Sequence, residues 1–192
     1  VSQGVQPEII RDPLSGTAFM AEPVSQNVAN RMTDVLYNRV AAEKGYELVS
    51  PDQAKGAFSN IINSDKNMVM SPIEIFQKMG NVFEADAVLT GYIYRWRERE
   101  GTDYAVNRPA SVAFDLHLIS PSEGTMLWKA KFDKTQRSLF ENVFDMSTFV
   151  KSKGRWMTVE KLAMLGLRKV LAEMPAGKDS NIRRDPIEME GH

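Results

Sequence analysis

Residues 110–137 read ASVAFDLHLISPSEGTMLWKAKFDKTQR, and the way the two halves of this stretch pair decides the fold. Apolar and polar side chains alternate on both sides of Pro121-Ser122-Glu123-Gly124, the period of two expected of strands with one buried face. Two strands are therefore predicted, Ala110 to Ser120 and Thr125 to Arg137. Ser122 and Glu123 would make the turn, with Gly124 in the left-handed conformation. In a bulged three-residue loop, Pro121 lies opposite Thr125, Leu118 faces Trp128, Leu116 faces Ala130 and Phe114 faces Phe132. On the other face Ile119 meets Leu127, His117 meets Lys129 and Asp115 meets Lys131. A slip of one residue would set Phe114 and Leu116 against lysines, so the side chains select this register. The lysines make that other face the solvent side, and Asp115 and His117 are expected on it.

Working outward, Asp86 to Arg99 predicts another long strand, with residues 100–109 as a polar connection containing Gly101 and Pro109. Val28, Met32, Val35, Leu36 and Val40 recur at the spacing of one helical face, and Gly45 stops that helix. Tyr46 to Val49 reads as a short strand. Ser50-Pro51-Asp52-Gln53 and Ser71-Pro72-Ile73-Glu74 are two capping boxes with proline at the first helical position. They start helices over 51–62 and 72–84, with Asn63 to Asn67 as a loop between them. From Thr158, the residues Val159, Leu162, Ala163, Gly166, Leu167, Val170, Leu171 and Met174 form the apolar stripe of a last helix, stopped by Pro175 and Gly177. Thr17 to Val24 is a further candidate strand. Residues 1–16 lack periodicity and read as an extended tether, and residues 176–192 as a disordered polar tail. The fold class is α/β (α+β): one domain over 17–175, a small mixed sheet of about four to five strands with helices packed on it.

With 192 residues, 43% hydrophobic and 26% charged, the chain is long and apolar enough for one core. A net charge of -1 from 24 basic and 25 acidic residues creates no global field for nucleic acid, and no such partner is expected. Cys is absent, which excludes disulfides, thiolate metal sites and a cysteine nucleophile. No apolar run is long enough to span a bilayer. The chain opens on Val1, so any membrane attachment is expected upstream of it.

No catalytic residue is expected. No Gly-x-Ser-x-Gly elbow, phosphate-binding Gly-x-x-x-x-Gly-Lys loop or Gly-x-Gly-x-x-Gly turn occurs. Of two histidines, His192 is terminal. His117 shares a strand face with Asp115, a pairing that suits acid–base or metal chemistry, but its expected solvent position favours a structural role. Neither a metal nor another cofactor is expected. The segment Tyr92-Ile93-Tyr94-Arg95-Trp96-Arg97 interleaves aromatic and basic side chains, the composition of protein-interface hot spots. The competing reading packs its aromatics beneath a helix. Tyr94, Arg95, Trp96 and Arg97 are the candidate partner-binding residues. A second apolar segment, Phe140 to Trp156, either covers a core edge or forms an adhesive patch.

Two stretches carry a family resemblance. Glu84-Ala85-Asp86-Ala87-Val88-Leu89-Thr90-Gly91 resembles a helix-to-strand entry of the form GADAVLxG. Phe114 through Trp128 resembles the hairpin of the same group, in which an apolar strand, a glycine turn and a tryptophan recur. The group comprises the LpoB-type activators of penicillin-binding proteins, the CsgG-type curli secretion lipoproteins and the N-terminal domain of TolB. Lys129 to Asn142 departs from the named members. The resemblance implies a lipoprotein on the periplasmic side of the outer membrane, anchored through a cysteine upstream of Val1. Its implied role is to bind an envelope protein as an adaptor or activator, without catalysis. The alternatives are a subunit of an oligomeric envelope assembly or secretion complex, and a small-ligand-binding or hydrolytic domain. A CsgG-type pore is disfavoured because its lipid-crossing strands need roughly 9–11 alternating residues each, which neither 100–109 nor 140–156 supplies.

Overall fold

A computed structural model describes residues 7–64, 70–102, 106–136 and 157–177. Its centre is the predicted hairpin, with strands β6 (Ser111–Ser120) and β7 (Thr125–Thr135), and with β3 (Val88–Arg97) antiparallel on the other side of β6. All ten residues of β6 are buried, as befits the middle strand of three covered on both faces. The pairs Leu118–Trp128, Leu116–Ala130, Phe114–Phe132, His117–Lys129 and Asp115–Lys131 stand in the expected register. The tip differs. Ser120 pairs with Thr125 and Ile119 with Met126. The turn therefore spans four residues, closed by the Gly124 amide on the Ser120 carbonyl at 2.8 Å. The extra residue of the bulge is Leu127, between Met126 and Trp128. Gly124 does adopt φ +65°.

The helices follow their local signals. Helix α1 (Gln26–Glu43) is capped by the Ser25 side chain and gives way at Lys44 and Gly45, the latter at φ +66°. In α2 (Pro51–Ser64) the Gln53 amide reaches Ser50 Oγ at 3.3 Å, while Gln53 Oε1 accepts from the Ser50 amide at 3.3 Å. Helix α3 (Pro72–Val82) has the second capping box, with Glu74 Oε2 accepting from the Ser71 amide at 2.6 Å. Helix α4 (Val159–Ala172) opens on Thr158. Tyr46 to Val49 is not a strand. The chain there is held instead to the end of α4, through Lys44 Nζ on the Met174 carbonyl and the Tyr46 hydroxyl on the Pro175 carbonyl, at 2.8 and 3.0 Å.

One face of the sheet carries the main core. Val112, Phe114, Leu116, Leu118 and Phe132 pack against Val28, Met32 and Val40 of α1 and against Leu162, Ala163, Leu167 and Leu171 of α4. Each fully buried side chain of this kind contributes about 1.5–3 kcal/mol. Gly166 allows α4 to approach closely, since a Cβ there would lie 2.5 Å from the Phe132 ring.

The opposite face is covered as well, by a hairpin whose first strand falls in the segment read from sequence as tether and whose second falls in the candidate strand Thr17 to Val24. Strand β1 (Glu8–Arg11) pairs antiparallel with β2 (Ala18–Ala21), forming a hairpin that lies on β3 and β6. Phe19 stacks on Tyr94 with ring centroids 4.1 Å apart, and the Glu22 amide reaches the Tyr94 carbonyl at 2.8 Å. From Pro7 onward, then, the lead-in belongs to the folded body. A small pair, β4 (Glu100–Gly101) with β5 (Val106–Arg108), occupies the polar connection before β6. Phe140 to Trp156 and the tail from Lys178 lie outside the described residues. No helix among the described residues is long and apolar enough to cross a membrane.

Candidate functional site

The hairpin formed by β1 and β2 encloses a cluster of ionisable groups. β6 supplies Asp115 and His117, two residues apart on the face away from the helices, and β3 supplies Tyr92 and Tyr94. Asp12 enters from the first residue after β1, where its Oδ2 accepts from the amides of Leu14, at 3.2 Å, and Ser15. This local turn, in which an aspartate side chain mimics the backbone, aims the rest of the carboxylate inward. Asp12, Asp115 and His117 are 2%, 2% and 1% exposed. The expectation that Asp115 and His117 face solvent is thus overturned. Lys129 and Lys131 do stand opposite them on β7 and are exposed, but the N-terminal hairpin covers the row between.

The Tyr94 hydroxyl lies 3.1 Å from both Asp12 Oδ1 and Asp115 Oδ2. A phenol has one proton, so it can serve both carboxyls only if one of them is protonated and donates to the phenol oxygen. The environments choose which. Burial pushes Asp12 up, but the bonds from Ser15, the nearby His117 and the Tyr94 hydroxyl outweigh it and hold the carboxyl below its ordinary range. Burial and the charge of Asp12 raise Asp115 to about 7, against the smaller opposing effect of the bonds from Tyr94 and Tyr92. Asp115 is the proton carrier of the pair. Burial also lowers His117, keeping its imidazole neutral, with Asp12 opposing and Lys129 assisting. Its Nε2 lies 3.4 Å from Asp12 Oδ2, whereas Nδ1 stands 3.9 Å from Asp115 Oδ1 and has no hydrogen-bond partner among the described residues.

The candidate contact residues 94–97 do not form one surface. Ile93 pairs with Phe114 and Arg95 with Ala113, so Tyr94 is an extra residue and the strand alternation reverses there. Tyr92, Tyr94, Arg95 and Arg97 consequently turn to the hairpin side, while Ile93 and Trp96 join the main core. Tyr94 and Arg95 are each 6% exposed. The Arg95 guanidinium is used up internally. Its Nε donates to Ser111 Oγ at 2.6 Å, Nη1 to the Met20 carbonyl at 2.7 Å, and Nη2 to Asp133. Arg97 Nη1 pairs with Glu22 at 2.7 Å. These arginines fasten the hairpin to the sheet, and Arg95 is too deeply buried to meet a partner while it is seated. Asp12 was missed as a site residue because only its distance from Asp115 in space, not in sequence, makes it one.

No protein-family model matches the chain, and no curated protein matches it. Solved structures do overlap with it. A lipoprotein of Neisseria meningitidis is 18% identical, covers 74% of this chain and 90% of its own, and has a TM-score of 0.42. The C-terminal domain of LpoB from Salmonella enterica is 17% identical over 70% of this chain and 87% of its own, with a TM-score of 0.39. A PelC dodecamer from Paraburkholderia phytofirmans gives 18%, 70% and 84%, with a TM-score of 0.37. At these TM-scores the overlaps carry neither an activity nor a partner to this chain.

Proposed function

We propose that the chain is the folded domain of an envelope lipoprotein that binds a protein partner on the periplasmic side of the outer membrane and performs no reaction itself. The observation that carries this reading is on the outer face of the N-terminal hairpin. Ile9 and Met20 are cross-strand partners there, 67% and 46% exposed. Large apolar side chains grouped in solvent on a short hairpin are interface material. The two stretches that carry the family resemblance also fall where that resemblance implies, at the passage from α3 into β3 and on the hairpin of β6 and β7. The contact surface moves accordingly, from residues 94–97 to the hairpin above them.

The hydrolytic alternative called for converging carboxylates. Asp12 and Asp115 do converge, but side chains 0–3% exposed leave a substrate no access in this arrangement. The oligomer alternative has an observation of its own, since Phe58 and Ile62 sit one turn apart on α2 at 43% and 41% exposure. The test is capture from envelope extract by wild type beside an Ile9→Ser, Met20→Ser double variant. One envelope protein held by wild type, and held roughly tenfold less well by the variant, supports the reading. Equal capture by both refutes the hairpin surface. A self-assembled species of defined mass in light scattering, dissolved by Phe58→Ser, would favour the oligomer.

A further inference from the structure

The clustering of Asp12, Asp115 and His117 goes beyond what fastening a hairpin requires. Each residue can turn one donor atom toward the others, with all three atoms within 4.8 Å of one another. We propose that this cluster binds a single divalent cation of the zinc class, through one carboxylate oxygen each from Asp12 and Asp115 and through Nδ1 of His117.

The donor set selects the cation. One imidazole nitrogen with two carboxylate oxygens suits zinc, cobalt, nickel or manganese, whereas calcium and magnesium prefer oxygen alone. Bond lengths of about 2.0–2.2 Å place tetrahedral ligand atoms roughly 3.3–3.5 Å apart. His117 Nδ1 and Asp115 Oδ1, at 3.9 Å, need only a small closure to meet that spacing. Asp12 Oδ2 faces the other ring nitrogen, 3.4 Å from Nε2, and since its backbone is held by Thr17 and Gly16, its carboxylate has to rotate about its own side-chain bonds to reach the cation.

Two features of the cluster ask for a cation more than for a proton. Two buried carboxylates repel each other, and a proton on one of them relieves that repulsion. A proton on Asp115 nevertheless leaves the buried Nδ1 of His117 without a partner among the described residues, an expensive state for a polar atom. A dication answers both, since it neutralises the two carboxylates and takes up the nitrogen lone pair. An outer layer of supports is present as well. Tyr94 bonds to both carboxyls, and the Tyr92 amide reaches Asp115 Oδ1 at 3.3 Å. Such partners orient ligating groups in metal sites.

The experiment uses the full chain, stripped with chelator and then titrated with Zn²⁺ against a chromophoric competitor. The expected result is one Zn²⁺ per chain, a rise in thermal midpoint with Zn²⁺, and an affinity lowered by more than roughly tenfold in both Asp115→Asn and His117→Gln. His192→Gln should bind as wild type does. Absence of binding at micromolar Zn²⁺, binding unchanged by Asp115→Asn and His117→Gln, or binding lost with His192→Gln would each overturn the proposal. If neither cluster variant folds, Co²⁺ added to the wild type decides. The intense visible absorption of a tetrahedral site supports the proposal, and its absence overturns it.

Discussion

Gly166→Ala tests the closest approach of helix to sheet. An alanine Cβ at this position would lie 2.5–2.6 Å from three atoms of the Phe132 ring, against an ordinary carbon contact of about 3.5–4.0 Å. Ring or helix must therefore move by about 1 Å. The ring cannot swing freely, because Phe114 packs against it at a centroid distance of 5.5 Å. Helix propensity alone would make the alanine variant more stable by about 1 kcal/mol, while overpacking in a filled core costs about 1–3 kcal/mol. The net expectation is a loss of about 0–2 kcal/mol, read as a lower urea midpoint with an unchanged m-value. Phe132→Leu replaces the rigid ring with a smaller side chain whose methyl groups can rotate away from position 166, at a cost of its own. In the Gly166→Ala, Phe132→Leu double variant the two losses should not add, and a coupling of about 1–2 kcal/mol in its favour should appear. Strict additivity in the cycle, or a Gly166→Ala chain more stable than wild type, would show that α4 does not sit on Phe132.

In chelator, stability should fall as pH rises from 6.5 to 8. Asp115 is raised to about 7 when folded, from 3.8, so in this window the native state binds the extra proton and loses it, at a cost of about 1 kcal/mol. His117 is lowered from 6.5 and makes folding weaker below that value, as its unfolded form takes up a proton. Asp115→Asn should abolish the alkaline fall in denaturation series run at each pH, and a fall that persists in the variant assigns it elsewhere. Tyr94→Phe removes the hydroxyl shared by the two carboxyls and should cost about 1.5–3 kcal/mol in urea unfolding. Arg95→Lys cannot reproduce three donors aimed at Ser111, Met20 and Asp133, and should cost about 2–3 kcal/mol by the same assay. A change below about 0.5 kcal/mol would mean that the guanidinium is not seated as described.

The parts of the fold legible in sequence are those written in local chemistry. Ser50 with Gln53 and Ser71 with Glu74 announce their helices within four residues, and the lysines of β7 fix the hairpin register by exclusion. The second face escaped for two physical reasons. Strands of four residues such as Glu8–Arg11 are too short to show a period, so of the hairpin that covers Asp115 and His117 only the second strand, within Thr17 to Val24, could be read. The bulge at Tyr94 is a one-residue offset with no sequence mark of its own, and it turned Arg95 from the expected face to the opposite one. The site was half visible: the pairing of Asp115 with His117 shows in the strand alternation, but its burial depends on Asp12, about a hundred residues earlier in the chain.

The arrangement of the N-terminal hairpin also sets how the domain would respond to mechanical load. A pull on the chain ahead of Glu8 enters at the rung where Glu8 meets Ala21 and travels along an antiparallel pair from its open end. Rungs in that geometry are loaded one after another, like the teeth of a zip, so β1 should peel away at low force. Peeling stops at Asp12, where the chain is gripped by the Tyr94 hydroxyl and the Ser15 amide. The first four residues of the fold would then act as a compliant leash, and the buried cluster as the stop that keeps tension from the main core.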